Sequence, residues 1–381
     1  MKKIASYLLS LAFVANTEVF AQDQSKPEVP PMMYEFLSEI AELQPYIYSQ
    51  ESFTSPQNQK FVGDRLQEFA KTSEQLKKHD RLKTPGFEVP ASIIVKQLYD
   101  LNEAFQAGHK DYAWRSLRST LHSCSQCHTQ ISQIRPAPQW EFEDASLPKD
   151  PLELADFWFM IRSYDKAFNQ YKKVIHEFGK KNSDQFRLRR ALRSILTICL
   201  RIDRSPTRAL EFLNGMSSQR NLPEYLKNDL KTWKNELAAL QTLPPMDTAK
   251  IPAREMEKLA EDLFRSVYPI PREGRSKEVA MEYGSGLLFD FANKRPKEVS
   301  QRMYYWLGTS TIELNRFDFR SFGDQYLKEC IERFPPSPIS EECLITLKDN
   351  WIFGYSGSAG TFLPSTLKEE MKRLEKIIQK K

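Results

Sequence analysis

Apolar residues three and four positions apart, broken at intervals by Pro and Gly, run through this chain of 381 residues, and that spacing commits it to α-helices. Four such stretches come first. Met33, Phe36, Ile40, Leu43 and Ile47 form one stripe in a helix expected from about Pro31 to Gln50. Val62, Leu66, Phe69 and Leu76 form a second, from about Pro56 to His79, and Thr84-Pro85-Gly86 reads as a breaker after it. Ile94, Leu98, Leu101 and Phe105 mark a third, from about Pro90 to Gln106, closed by Ala107-Gly108. A fourth begins near Asp111 and carries Trp114, Leu117 and Leu121. Short connections between four helices imply an up-down-up-down bundle. The fold class expected is all-α.

Composition narrows the functional classes. Apolar residues make up 40% and charged residues 28%, a globular balance, and at roughly 100 to 200 residues per domain the length suggests two or three domains. The net charge of +5 is spread among interspersed acids and bases, so no block marks a nucleic-acid partner. Lys2 and Lys3, the apolar run Ile4 to Val14 and the short Val19-Phe20-Ala21 read as a secretory signal peptide over residues 1–21. That run falls short of the roughly 20 residues that span a bilayer. An exported, periplasmic protein that does not span the membrane is expected.

The five cysteines are Cys124, Cys127, Cys199, Cys330 and Cys343, an odd number that disulfides alone cannot absorb. Two of them lie in Cys124-Ser125-Gln126-Cys127-His128, a C-x-x-C-H pentapeptide that continues the stripe of the fourth helix. This is the attachment signature of c-type haem. One helical turn between the thiols lets both add to the two vinyl groups of one porphyrin, and His128 places an imidazole beneath the iron as proximal ligand. A structural zinc site would need a second ligand pair that the chain lacks, and a redox dithiol would want a βαβ setting where the flanks are helical. A plain disulfide beside a bystander His is the remaining reading, but three of the chain's ten Cys and His residues share this pentapeptide.

Signal peptide, four helices and a C-x-x-C-H near the end of the fourth resemble the class II c-type cytochromes, the cytochrome c′ and cytochrome c556 family, over roughly Glu28 to Pro138. The resemblance implies a four-helix bundle holding covalent haem c through Cys124, Cys127 and His128. The chain departs from the family after the histidine, where Thr129-Gln130-Ile131-Ser132 replaces the usual aromatic and Arg, and Arg135 is the nearest Arg. In an alternating bundle Met33, Met32 and His79 share an end with His128. His109, 19 residues before His128 and thus about 28 Å along the helix, does not. His122 is on the same helix and cannot reach the opposite haem face. The resemblance to cytochrome c556 implies Met33 as distal iron ligand; five-coordinate iron, as in cytochrome c′, and His79 stay open.

Beyond Pro136-Ala137-Pro138 an acidic stretch within residues 139–151 reads as a linker. Leu154, Ala155, Trp158, Tyr164, Ala167, Tyr171 and Val174 then follow the spacing of a tetratricopeptide repeat, which this segment resembles. Weaker copies use Leu196, Leu200, Ala209 and Leu213, and then Leu307, Gly308, Phe317, Tyr326 and Pro335. The expected organisation is a signal peptide (1–21), a four-helix haem-binding bundle (28–138), a linker (139–151), tetratricopeptide-like helical repeats (152–243) and a further helical-hairpin region (250–381). Helices are expected there at about Leu222 to Leu243, Ala253 to Val267, Ser276 to Lys294, Pro296 to Asn315 and Pro364 to Lys380. Tyr304, Tyr305 and Trp306 are assigned to the core, Cys199 likewise, and Cys330 and Cys343 stand where they can either staple a helical hairpin or remain two buried free thiols. The Gly354 to Thr361 loop lacks the Lys-Ser/Thr ending of a phosphate loop and reads as a connection between helices.

No Ser-His-Asp set, HExxH or paired catalytic carboxylate stands out, so the chain is not read as an enzyme. The expected function is one-electron transfer by an exported monohaem cytochrome whose repeats dock a redox protein partner. A gas- or peroxide-binding sensor with open iron, and a repeat scaffold with structural haem, are the alternatives.

Overall fold

The computed structural model describes residues 31–130, 142, 147–181, 184–216, 222–264, 278–314 and 322–379. The expected signal peptide, Arg135, Pro136-Ala137-Pro138 and Phe317 lie outside them. Among the described residues the fold is all-α, with one two-residue β-hairpin, and no helix is long and apolar enough to cross a membrane.

The N-terminal helices are α1 (Pro31–Ile47), α2 (Gln50–Thr54), α3 (Gln59–Lys78), α4 (Pro85–Gln106) and α5 (Lys110–His128). The long ones alternate in direction. Glu35 and Arg65 fix α1 against α3 through Gln75 and Glu42, Tyr99 of α4 reaches Glu74 of α3, and Ser123 of α5 reaches Gln97 of α4. Trp114 at the start of α5 closes the set by donating to the carbonyl of Ile47 at 3.0 Å. The apolar stripes meet as the 3.6-residue period requires: Leu43, Val62, Leu66, Phe69, Leu98, Leu101, Phe105 and Leu117 are each under 3% exposed. The short α2, which no stripe announced, plugs one end with Phe53, whose ring meets Phe105 edge-on with centroids 5.4 Å apart, as Phe36 meets Phe69 at 5.3 Å.

One boundary differs from the sequence reading. Thr84-Pro85-Gly86 does not break the chain before α4; it starts the helix, with Thr84 as N-cap and Pro85 in the first turn, and Pro90 falls inside. Proline is at home in a first helical turn, where its missing N–H has no intrahelical acceptor to lose. Pro90 is costlier, because the carbonyl of Gly86 loses the donor it would have four residues on. The hydroxyl of Tyr326, 240 residues away, supplies that donor at 3.0 Å.

The remaining helices are α6 (Pro151–Met160), α7 (Tyr164–Lys181), α8 (Gln185–Thr197), α9 (Pro206–Met216), α10 (Glu224–Leu240), α11 (Ala253–Phe264), α12 (Glu278–Lys294), α13 (Gln301–Leu314), α14 (Phe322–Glu332), α15 (Pro338–Gly354) and α16 (Ser365–Gln379), and most pack against the next in sequence, although α10 packs on α12. Ala155 and Ala167, with no exposed surface, let α6 and α7 approach around the buried Tyr171. A π-helical turn at Ile198–Ile202 extends α8, and Arg204, at φ 51°, ends it. Helix α12 is buried on all faces from Glu278 to Ala292, so its acids are paired: Glu278 with Arg193, Glu282 with Arg201 and Asp290 with Arg204. Helices α13 and α14 cross where Gly308 faces Gly323. Tyr304, Tyr305, Trp306 and Cys199 are core residues, and Cys330 and Cys343 form a disulfide across the α14–α15 hairpin. The Gly-rich loop is an exposed hairpin of β1 (Ser356–Gly357) and β2 (Gly360–Thr361) between α15 and α16.

The two halves meet along α4, α5 and their neighbours. Arg118 pairs with Glu153, Arg333 with Glu88, and Thr84 donates to Asn293 at 2.6 Å.

Candidate functional site

The pentapeptide occupies the last turn of α5, at the seam between the two halves. Cys124 and Cys127 are half-buried and unbridged, although the chain does form a disulfide elsewhere. They stand three positions apart in a helix, with Ser125 and Gln126 between them, so they lie about one turn apart on one side. The Cys124 thiol makes a weak contact to the carbonyl of Thr120 at 3.8 Å. Burial pushes the Cys124 thiol up to about 12 and raises Cys127 further, with the neighbouring sulfur adding to the shift, so both are neutral thiols at physiological pH.

His128 is held at three points. Its Nδ1–H donates to the carbonyl oxygen of Met160 at 2.6 Å, its own carbonyl accepts from the Tyr164 hydroxyl at 2.9 Å, and Arg162 stands close enough for its charge to act on the ring. Burial, then the Arg162 charge, bring the imidazole down to about 4 against the contribution of the Met160 bond. The ring is therefore neutral, with its proton on Nδ1 and the lone pair on Nε2. Nε2 has no hydrogen-bond partner among the described residues.

The Met160 carbonyl is available because of how α6 ends. The last four carbonyls of a helix lack intrahelical donors. Here Ile161 N serves Phe157 O at 3.1 Å, Ser163 N serves Trp158 O at 2.8 Å and Arg162 N serves Phe159 O at 3.1 Å. This is a Schellman ending with Arg162 in the left-handed position at φ 66°, where Gly or Asn is usual. It leaves the oxygen of Met160 to His128.

The flank of the site is equally tight. Gln130 is buried beside Asn293, and a Cβ on Gly86 would lie 2.3 Å from Asn293 Oδ1 and 2.7 Å from Gln130 Oε1. Tyr326 packs over this corner, near enough to Cys127 for the two to interact electrostatically.

The alternating helices bring the start of α1, the end of α3 and the end of α5 to one end, so Met33 and His79 share that end with the pentapeptide. Met33 is half-buried against the core. His109 caps the opposite end of α5. His122 faces Arg190, with 2.7 Å between Arg190 Nη2 and Nε2, and Arg190 also pairs with Asp156, so it is committed away from the thiols. Among the described residues no three or more His, Cys, Asp or Glu side chains gather as a metal cage.

The spacing alone puts Cys124, Cys127 and His128 on one helical turn, as α5 has them; it does not bring Met160, Arg162, Tyr164, Gly86 or Tyr326 beside them. A signal existed for two of them, since a helix that stops before Arg162-Ser163 without Gly, and a Pro90 four residues after Gly86, each imply a group that must find a partner elsewhere.

The donor set fits a covalently held iron porphyrin. Two neutral, unbridged thiols one turn apart can each form a thioether, and a neutral imidazole with Nδ1–H anchored to a carbonyl presents Nε2 as a ligand, the arrangement metal-binding histidines favour. No protein-family model, curated protein or solved structure matches this chain.

Proposed function

We propose that the protein is an exported, periplasmic monohaem c-type cytochrome that carries one electron and docks a redox protein partner through its helical repeats. Residues 28–138 form the haem-binding bundle and residues 152–381 the tetratricopeptide-like and further hairpin regions. The observation that carries this reading is the anchored, neutral His128 beside two unbridged thiols in one turn of α5. Haem c bound there supplies reversible one-electron exchange between Fe(III) and Fe(II). Cys124 and Cys127 would hold the porphyrin and His128 would ligate its iron, with Gln130, Asn293 and Tyr326 packed along the flank of the site. Met33 is the distal ligand in this reading, since it is half-buried at the same end of the bundle. Met/His ligation closes the iron to outside ligands and suits outer-sphere electron transfer.

The test is an absorption spectrum of the oxidised and reduced protein, made in a host competent for cytochrome maturation, with and without CO. A Soret band, a mass increased by one haem and no CO shift are expected. CO binding to the reduced protein would replace electron carriage with ligand sensing by an open iron. A mass equal to that of the polypeptide alone would overturn the cytochrome reading.

A further inference from the structure

Resting on the cytochrome reading, we infer that the α6–α7 turn, Met160 to Tyr164, is the positioning device for the proximal histidine, so that the helical repeats set the behaviour of the iron and are not only a docking platform. Three independent features converge there. The one α6-terminal carbonyl that α6's own ending leaves over accepts the His128 Nδ1–H at 2.6 Å, which fixes the tautomer and leaves Nε2 on the side of the ring away from that carbonyl. The Tyr164 hydroxyl pins the last peptide of α5 at 2.9 Å, and Phe159 packs edge-on against that Tyr164 ring with centroids 5.7 Å apart. Arg162 occupies a left-handed backbone position at φ 66° that costs a side chain but not a glycine.

Strain kept at such a position is explained when the side chain has work there. Arg162 stands beside both the His128 ring and the Tyr164 hydroxyl. A fixed positive charge behind the proximal imidazole favours Fe(II) over Fe(III), and the carbonyl of Met160 pulls the other way by making the imidazole a stronger donor. The turn thus holds opposing influences on one ligand. Movement of α6 or α7 on partner docking would alter both together.

Two variants separate this from a merely structural turn. Arg162→Gly relieves the backbone and removes the charge. Tyr164→Phe keeps the ring and removes the bond to His128. Mass, Soret absorbance, melting temperature and midpoint potential are read for each and for the wild type. Arg162→Gly is expected to carry haem, to melt no lower than the wild type and to shift its reduction equilibrium toward Fe(III) about tenfold, about 59 mV for one electron. Haem-loaded Arg162→Gly and Tyr164→Phe proteins with the wild-type potential would overturn the inference and leave the cytochrome reading intact. Absence of haem from the wild type would instead overturn the cytochrome reading. The histidine geometry has its own readout in Cys124→Ala/Cys127→Ala protein: proton–nitrogen correlation spectra are expected to show His128 protonated on Nδ1, with that tautomer less populated when Tyr164→Phe is added. A proton on Nε2 would overturn the inference whatever the haem content.

Discussion

The bond between Tyr326 and the carbonyl of Gly86 can be tested as a replacement for the one Pro90 cannot make. Gly86, Pro90 and Tyr326 are all buried, and the hydroxyl lies 3.0 Å from the oxygen. Tyr326→Phe leaves that oxygen buried without its donor, a loss of about 1–3 kcal/mol. Pro90→Ala restores an N–H at the one position from which the helix itself can serve Gly86. In that background the Tyr326→Phe loss should shrink, since the oxygen is no longer orphaned, and the double-mutant coupling should approach about 1 kcal/mol. Urea unfolding followed by tryptophan fluorescence for the wild type, both single variants and the double variant supplies the four stabilities. The Tyr326 hydroxyl also engages Gln130, and the cycle removes that contribution because Pro90→Ala does not touch it. Coupling within about 0.3 kcal/mol of zero would refute the reasoning and mean that Gly86 is satisfied some other way.

Three further outcomes are expected. Gly323→Ala puts a Cβ 2.5 Å from the Gly308 oxygen and 2.5 Å from Ile312 Cγ1, so it should cost about 1–3 kcal/mol in thermal unfolding, while Gly215→Ala in α9, with nothing within 4 Å, should stabilise by about 0.5–1 kcal/mol. Glu370, brought down to about 2 chiefly by its hydrogen bonds to Arg373, lends α16 a stabilisation that is complete above its ordinary carboxylate value of 4.5 and lost as pH falls through about 2; the protection factors of backbone amides in residues 365–379, with the intrinsic pH dependence of exchange divided out, should therefore fall between those limits, and unchanged protection would show that the pair does not hold the helix.

What the sequence made legible was local. The stripe Phe36, Ile40, Leu43 and Ile47 reports a helix because its neighbours in space are its neighbours in number, and the thiols and imidazole of the pentapeptide report themselves by spacing for the same reason. The start of α4 was misread because Pro85-Gly86 is a turn signal in isolation, and only a hydroxyl from α14 makes a helix through Pro90 tolerable. The support of His128 escaped notice because its acceptor is a backbone oxygen. Every residue has one, and only the Schellman ending of α6 decides that the one at Met160 is free. The sequence left Cys330 and Cys343 open between a hairpin staple and two free thiols, and the hairpin geometry decides for the staple, whereas the acids of α12 gave no hint that Arg193, Arg201 and Arg204 would line up to meet them.

The contact that joins Gly86 to Tyr326 ties together chain segments 240 residues apart, and the one between Thr84 and Asn293 spans 209. Closing rings of that size is entropically late work for a polypeptide. For most of its assembly the corner beside Cys127 is consequently an open doorway, and it shuts only when the last third of the chain arrives. A chain cut before Asn293 would lack both closing contacts and be left permanently ajar at that corner.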